Sequence, residues 1–169
     1  MLPMENLLNL AEKLGELLLS RNERLALAES CTGGALAQAV TEIAGSSAWF
    51  ERGFVTYSNA AKSELLGVPA ITIERHGAVS EATARGMAEG ALARSPADWT
   101  VAITGIAGPG GGSAEKPVGT VCFAWAGRDL GCQAQTRLFS GERSAVRRQA
   151  VVHALRGLIH LLEGQSAYA

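Results

Sequence analysis

A serine at position 30 and a lysine at position 62, with a tyrosine at 57, are the side chains of this 169-residue chain best suited to covalent chemistry. Ser30 stands in Ala28-Glu29-Ser30-Cys31-Thr32-Gly33-Gly34, where an apolar segment meets a hydroxyl- and glycine-rich turn. The helix formers Ala35-Leu36-Ala37-Gln38-Ala39-Val40 follow. A buried strand that turns sharply into a helix delivers its last side chains to the carboxyl edge of a sheet, and the helix start offers N–H groups that favour negative charge. A hydroxyl there reads as a nucleophile. Thr32, Gly33 and Gly34 suit an oxyanion site, because small residues let a substrate approach the backbone. The plain alternative is that Ser30 and Thr32 simply cap the helix. The Gly-x-Ser-x-Gly elbow of α/β-hydrolases is absent, since Ala28 and Thr32 occupy its glycine positions.

A neutral hydroxyl needs a base. In Tyr57-Ser58-Asn59-Ala60-Ala61-Lys62, Asn59 reads as the N-cap of a short helix from Ala60 to Leu66, with Lys62 in its first turn. A lysine beside a helix N-terminus is biased towards the neutral amine that a general base requires. Tyr57 would relay a proton or orient the pair. A surface lysine beside a half-buried tyrosine is the alternative.

Two further features suit an anion. The loop Gly105-Ile106-Ala107-Gly108-Pro109-Gly110-Gly111-Gly112-Ser113 follows an apolar segment and could fold its N–H groups around a phosphate or form a lid. It is not a Walker A loop, because Lys116 is followed by Pro117. Ser113-Ala114-Glu115-Lys116 matches Ser-x-x-Lys only formally. Arg143 and Arg147 are spaced to share a helix face and could grip a phosphate or carboxylate, or lie on a solvated face. Cys31 beside Ser30 could itself be a nucleophile, yet no histidine sits near it in sequence, and a small buried filler is the better reading. His76, His153 and His160 form no metal-ligand cluster, and the last two suit a helix surface. No metal or cofactor is expected.

These residues need a frame. Leu7, Leu10, Ala11, Leu14, Leu17 and Leu18 recur at helical spacing and predict a helix over 4–20. A strand over 24–29 and a helix to about Ile43 flank Ser30, with strand character in Phe54–Tyr57. Ser80 opens an alanine-rich helix that ends before Ser95-Pro96, and Trp99–Ile103 reads as a buried strand. Gly119–Ala126 and Gly131–Phe139 predict a hairpin, before a last helix over about 142–163. Alternation of helices with buried strands implies one α/β domain over 1–169, a three-layer α/β/α sandwich on a mixed, mostly parallel sheet.

Composition narrows the partners. A chain this long buries roughly 70% of its unfolded surface. The net charge of −1 offers no general attraction to nucleic acid or acidic membranes. No apolar run is long enough to span a bilayer, and Met1–Ser20 is broken by Glu5, Glu12, Lys13 and Glu16, unlike a signal peptide. Three cysteines without a C-x-x-C pair fit a reducing, cytoplasmic setting. Trp49, Trp99 and Trp125 read as core or interface.

Taken in order, Ala28–Gly34, Gly53-Phe54-Val55-Thr56-Tyr57-Ser58-Asn59-Ala60-Ala61-Lys62, Gly77-Ala78-Val79-Ser80, Thr104–Gly111 with Lys116–Val121, and Gly141-Glu142-Arg143 resemble the C-terminal domain of the CinA family, the competence-damage-inducible proteins. The similarity runs over nearly the whole chain and is strongest towards the family's stand-alone nicotinamide-nucleotide amidases. The resemblance implies hydrolysis of nicotinamide mononucleotide to nicotinic acid mononucleotide and ammonia in pyridine nucleotide salvage, by an α/β/α homodimer without a metal. It makes Ser30 the nucleophile, with Lys62 and Tyr57 activating it. The candidates for substrate binding are Thr32, Gly33, Gly34, Asn59, Gly105, Gly108, Gly110, Gly111, Arg143 and Arg147. The pyrophosphatase activity associated with the other half of longer CinA proteins is not expected of these residues. A reading of another class remains, a regulatory module that binds a nucleotide or phosphate without catalysis.

Overall fold

The computed structural model describes residues 4–169, with side chains from residue 7; Met1 to Pro3 of the amphipathic stretch lie outside the described residues. The elements are α1 (Met4–Arg21), β1 (Leu25–Glu29), α2 (Ala35–Thr41), β2 (Phe50–Val55), α3 (Asn59–Leu66), α4 (Ala70–His76), α5 (Glu81–Ala93), β3 (Trp99–Gly105), β4 (Thr120–Gly127), β5 (Gly131–Leu138) and α6 (Arg143–Leu162). The sheet order is β2-β1-β3-β4-β5. β1 pairs in parallel with β2 and β3, while β3, β4 and β5 pair antiparallel, so β4 alone runs against the other strands. The mixed α/β/α sandwich expected from the sequence is the fold observed.

Strand alternation divides large from small residues. Leu25, Leu27, Val101, Ile103, Phe123 and Trp125 pack under α1, α2 and α6. Ala28, Ala102, Cys122, Ala124 and Ala126 face α5, which answers with Ala84, Ala88 and Ala91. Small side chains on both partners let that layer sit close to the sheet. Gly90 of α5 extends the same logic to α3, since a Cβ there would collide with the Leu66 carbonyl oxygen. This close approach seats α3, which carries Lys62, over the end of β1. The three tryptophans are buried. Among the described residues no helix is long and apolar enough to cross a membrane.

Several boundaries differ from the sequence expectation. β2 begins at Phe50, pairing with β1 from Leu25, rather than at Phe54. α2 ends at Thr41 and gives way to a short 3₁₀ turn, Ser46–Ala48. α4 was not expected at all; Pro69 precedes it and Gly77 ends it, and its β-branched Ile71, Thr72 and Ile73 weaken the helical signal.

Candidate active site

The ladder between β1 and β3 continues one residue past β1, where the Ser30 N–H donates to the Ile103 carbonyl at 2.9 Å. Alternation then sends Ser30 to the same face as Ala28, towards α3 and α5, and Glu29 to the opposite face with Leu27. The chain turns at once. The Gly33 N–H donates to the Ser30 carbonyl at 3.0 Å, and Gly33 and Gly34 hold φ of 58° and 103°, a left-handed pair that only glycine adopts without strain. Ser30 is buried, 7% exposed.

Glu29, which sequence reasoning missed, decides what the helix start can do. Its buried carboxylate accepts from the Thr32 hydroxyl at 2.6 Å, from the Leu36 N–H at 2.9 Å and from the Ala37 N–H at 3.0 Å. The α2 N-terminus is thus capped by the chain's own anion, and its amides are not open to a substrate. Thr32 serves this cap rather than a ligand. The signal was present: a charged residue on the core-facing side of a strand must find partners. From the other side the Arg147 guanidinium donates to the carbonyls of Cys31 and Thr32, both at 3.1 Å. Because C=O and N–H of a trans peptide point oppositely, this grip turns the Thr32 N–H away from α6.

α3 supplies the base. Its N-cap is Ser58, whose hydroxyl accepts from the Ala61 N–H at 3.0 Å, so Asn59 is the first helical residue and not the cap expected. Helical side chains tilt towards the N-terminus. The Lys62 stem therefore runs back over the first turn, 1% exposed, and ends between two chain segments. Its Nζ lies 3.0 Å from Ser30 Oγ, 3.1 Å from the Thr56 carbonyl and 3.2 Å from the Tyr57 carbonyl. The Ser58 carbonyl lies farther off, at 3.5 Å, which leaves these three as the near neighbours. A neutral amine meets them with two N–H donors for the carbonyls and a lone pair for the Ser30 proton. Burial pushes Lys62 below the ordinary lysine value.

A cavity of about 270 Å³ opens beside the pair, walled by Ser30, Cys31, Tyr57, Asn59, Lys62, Arg143 and the segment from Thr104 to Gly108 with Gly110. Gly105 must lack a side chain, since a Cβ there would come within 2.8 Å of Val121 and 3.1 Å of the Cys31 sulfur. Arg143 closes one side, donating to the Gly108 carbonyl at 2.8 Å and standing 3.3 Å from the Tyr57 hydroxyl. Tyr57 meets Lys62 through its backbone carbonyl, while its ring is exposed and its hydroxyl faces Arg143. The expectation that the Tyr57 hydroxyl relays a proton or orients the pair is therefore not the geometry found. Thr32, Gly33, Gly34, Gly111 and Arg147 stand outside this wall. Lys116 is engaged with the His76 carbonyl, so Ser113-x-x-Lys116 is no dyad. Among the described residues no group of three or more His, Cys, Asp or Glu is placed to hold a metal.

Cys31 lies on the wall but its chemistry is suppressed. Burial first of all pushes its thiol up to about 12, so almost no thiolate exists at neutral pH. Cys31→Ala should leave the turnover of the protein's substrate within a few-fold of wild type, and iodoacetamide should alkylate Cys31 far more slowly than an exposed thiol. Rapid alkylation with loss of activity would reverse that assignment.

Known proteins share this architecture. The family model for the CinA C-terminal domain matches residues 7–162. The nicotinamide-nucleotide amidohydrolase PncC of Escherichia coli K12 is 55% identical over 152 residues, covering 90% of this chain and 92% of that protein. The protein of the same name from Pseudomonas putida is 51% identical, covering 94% and 98%. Among solved structures, the competence/damage inducible protein CihA of Agrobacterium tumefaciens superposes with a TM-score of 0.90 at 48% identity, covering 94% of this chain and 96% of that one. With a family model spanning nearly every element and relatives matching from end to end, the chain belongs to the CinA C-terminal domain family.

Proposed function

We propose that this chain is a nicotinamide-nucleotide amidase, deamidating nicotinamide mononucleotide to nicotinic acid mononucleotide and ammonia through a serine acyl-enzyme, as a step of pyridine nucleotide salvage. The 3.0 Å approach of buried Lys62 Nζ to Ser30 Oγ carries the reading, because a non-catalytic module has no need to bury an amine against a hydroxyl. The names of the two amidohydrolase relatives support the substrate class.

The chemistry runs in two halves. Lys62, as the free amine, takes the Ser30 proton while Oγ bonds to the carboxamide carbon. The resulting ammonium passes the proton to the departing nitrogen as the C–N bond breaks, releasing ammonia and leaving an ester on Ser30. Water then adds to the ester, losing its proton to Lys62, and Oγ leaves with that proton restored. The oxyanion formed in each half needs donors within about 2.7–3.1 Å. The Gly33 N–H is spent within the turn and those of Leu36 and Ala37 on Glu29, so the N–H of Cys31, which lies on the cavity wall, is the donor assigned here.

Arg143 holds the 5′-phosphate in this reading, and Arg147, engaged with two carbonyls, does not. The test of the whole proposal is stoichiometric release of ammonia and nicotinic acid mononucleotide from nicotinamide mononucleotide by the wild-type chain; no release would end it. Arg143→Ala should raise KM by about 10–100-fold with a much smaller change in kcat, the cost of losing one charge-assisted contact. An unchanged KM in initial-rate assays would remove Arg143 from the substrate.

A further inference from the structure

A polar seam lies where helix-on-sheet packing is ordinarily apolar. On α6, Gln149, His153, Arg156 and His160 recur at intervals of four, three and four residues and share one stripe. Opposite them, alternation along β5 turns Gln133, Gln135 and Arg137 towards α6. Gln135 Oε1 lies 2.7 Å from His153 Nε2, and Gln133 Oε1 accepts from the Ala167 N–H at 3.0 Å. The tail after α6 bends back across the strand, with the Tyr168 hydroxyl donating to the Ala134 carbonyl at 2.7 Å. Between stripe, strand and tail is a cavity of about 420 Å³, the size of a small-ligand pocket, which shares no lining residue with the cavity at Ser30. His153 and His160, which the sequence suggested for a helix surface, both face it.

The side-chain charge of this cavity is one-sided, and Ala169, whose main chain ends in a carboxylate, completes the lining. Its lining carries two guanidiniums, two imidazoles and no Asp or Glu side chain. Among the described residues neither Arg137 nor Arg156 forms a salt bridge. His160 Nδ1 is buried without a hydrogen-bond partner. His153 is held neutral at pH 7, pushed down to about 4 by burial and then by Arg137, Arg156 and His160, so it adds no charge of its own. Guanidinium forks match phosphate oxygens, the unpartnered His160 Nδ1 is one further polar contact, and Tyr168 offers flat surface for a ring, whereas the Gln149 amide is spent on the Ser140 and Ala145 carbonyls, His153 Nε2 on Gln135, and the Phe139 ring lies under Arg137. We infer that this cavity is a second binding site, separate from the Ser30–Lys62 site, for a phosphate-bearing ligand.

The test follows the imidazole resonances of His153 and His160 by NMR at neutral pH during titration with inorganic phosphate and, separately, adenosine monophosphate. Both resonances should move saturably in the wild type and equally in Arg143→Ala, which alters only the other site. Affinity should fall at least about tenfold in Arg137→Ala and further in Arg137→Ala/Arg156→Ala, as charge-assisted contacts are lost. Equal affinity for the two probes assigns the site to the phosphate group; tighter binding of the nucleotide extends it to the base. No saturable movement up to about 10 mM of either probe, too weak for a built site, overturns the inference, as does movement that survives loss of both arginines. The readout is independent of amide hydrolysis, so the two proposals fail separately.

Discussion

Ser30→Ala should reduce ammonia release from nicotinamide mononucleotide by on the order of 10⁴-fold or more in kcat, the scale seen when an acyl-forming serine is deleted. The mutation removes one oxygen from a side chain already 7% exposed, and the Ser30 N–H bond to Ile103 is a backbone contact that alanine keeps. Stability should therefore change by less than about 1 kcal/mol, and the thermal midpoint should stay within a few degrees. Substrate affinity by calorimetry should hold within a few-fold, since the phosphate contact is assigned to Arg143. The combination of lost turnover with retained binding separates a nucleophile from a cap, because a helix-capping serine would lose stability and leave the chemistry alone. The structure already gives the cap of α2 to Glu29. Undiminished activity in the alanine variant would sink the acyl-enzyme.

How much of this site was legible depends on what each residue signals. Ser30 and Lys62 could be singled out because a hydroxyl in a strand-to-helix turn and a lysine in a first helical turn are both unusual placements. Their contact across 32 positions needed the sheet register, and the Thr56 and Tyr57 carbonyls that hold the amine have no sequence signature of their own. Tyr57 was marked for its hydroxyl and contributes its backbone to the amine instead. Arg143 and Arg147 share a face as their spacing says, yet four residues of helix, about 6 Å, separate them along the axis. That distance is enough to give one the cavity wall and the other the Cys31–Thr32 carbonyls. The layers were legible because apolar periodicity follows burial directly. The start of β2 was not, since Phe50-Glu51-Arg52-Gly53 carries exposed charge on an edge strand.

Lys62→Met should cost about 10²–10⁴-fold in kcat, the range of a general base, while methionine fills much of the buried stem's volume. Lys62→Arg should not rescue it, because a guanidinium does not give up its proton near neutral pH. In the wild type, log kcat/KM should rise with pH while the free amine is the minor form and level off below the ordinary lysine value of about 10.4, since burial lowers the folded-state value. The same shift fixes the sign of a stability effect. Below the lowered value both folded and unfolded chains carry the charge, and the folded state bears the full burial penalty. As pH rises through the window between that value and the unfolded one, only the unfolded chain still holds the proton, so wild-type stability gains with pH. Methionine carries no such proton. The stability of Lys62→Met relative to wild type should therefore decline as pH rises through that window, whatever the loss of the three polar contacts contributes at any one pH. Denaturant melts of both proteins across the alkaline range measure that slope. A difference independent of pH would mean that Lys62 keeps an ordinary affinity for its proton, and with it the charge that forbids its role as base.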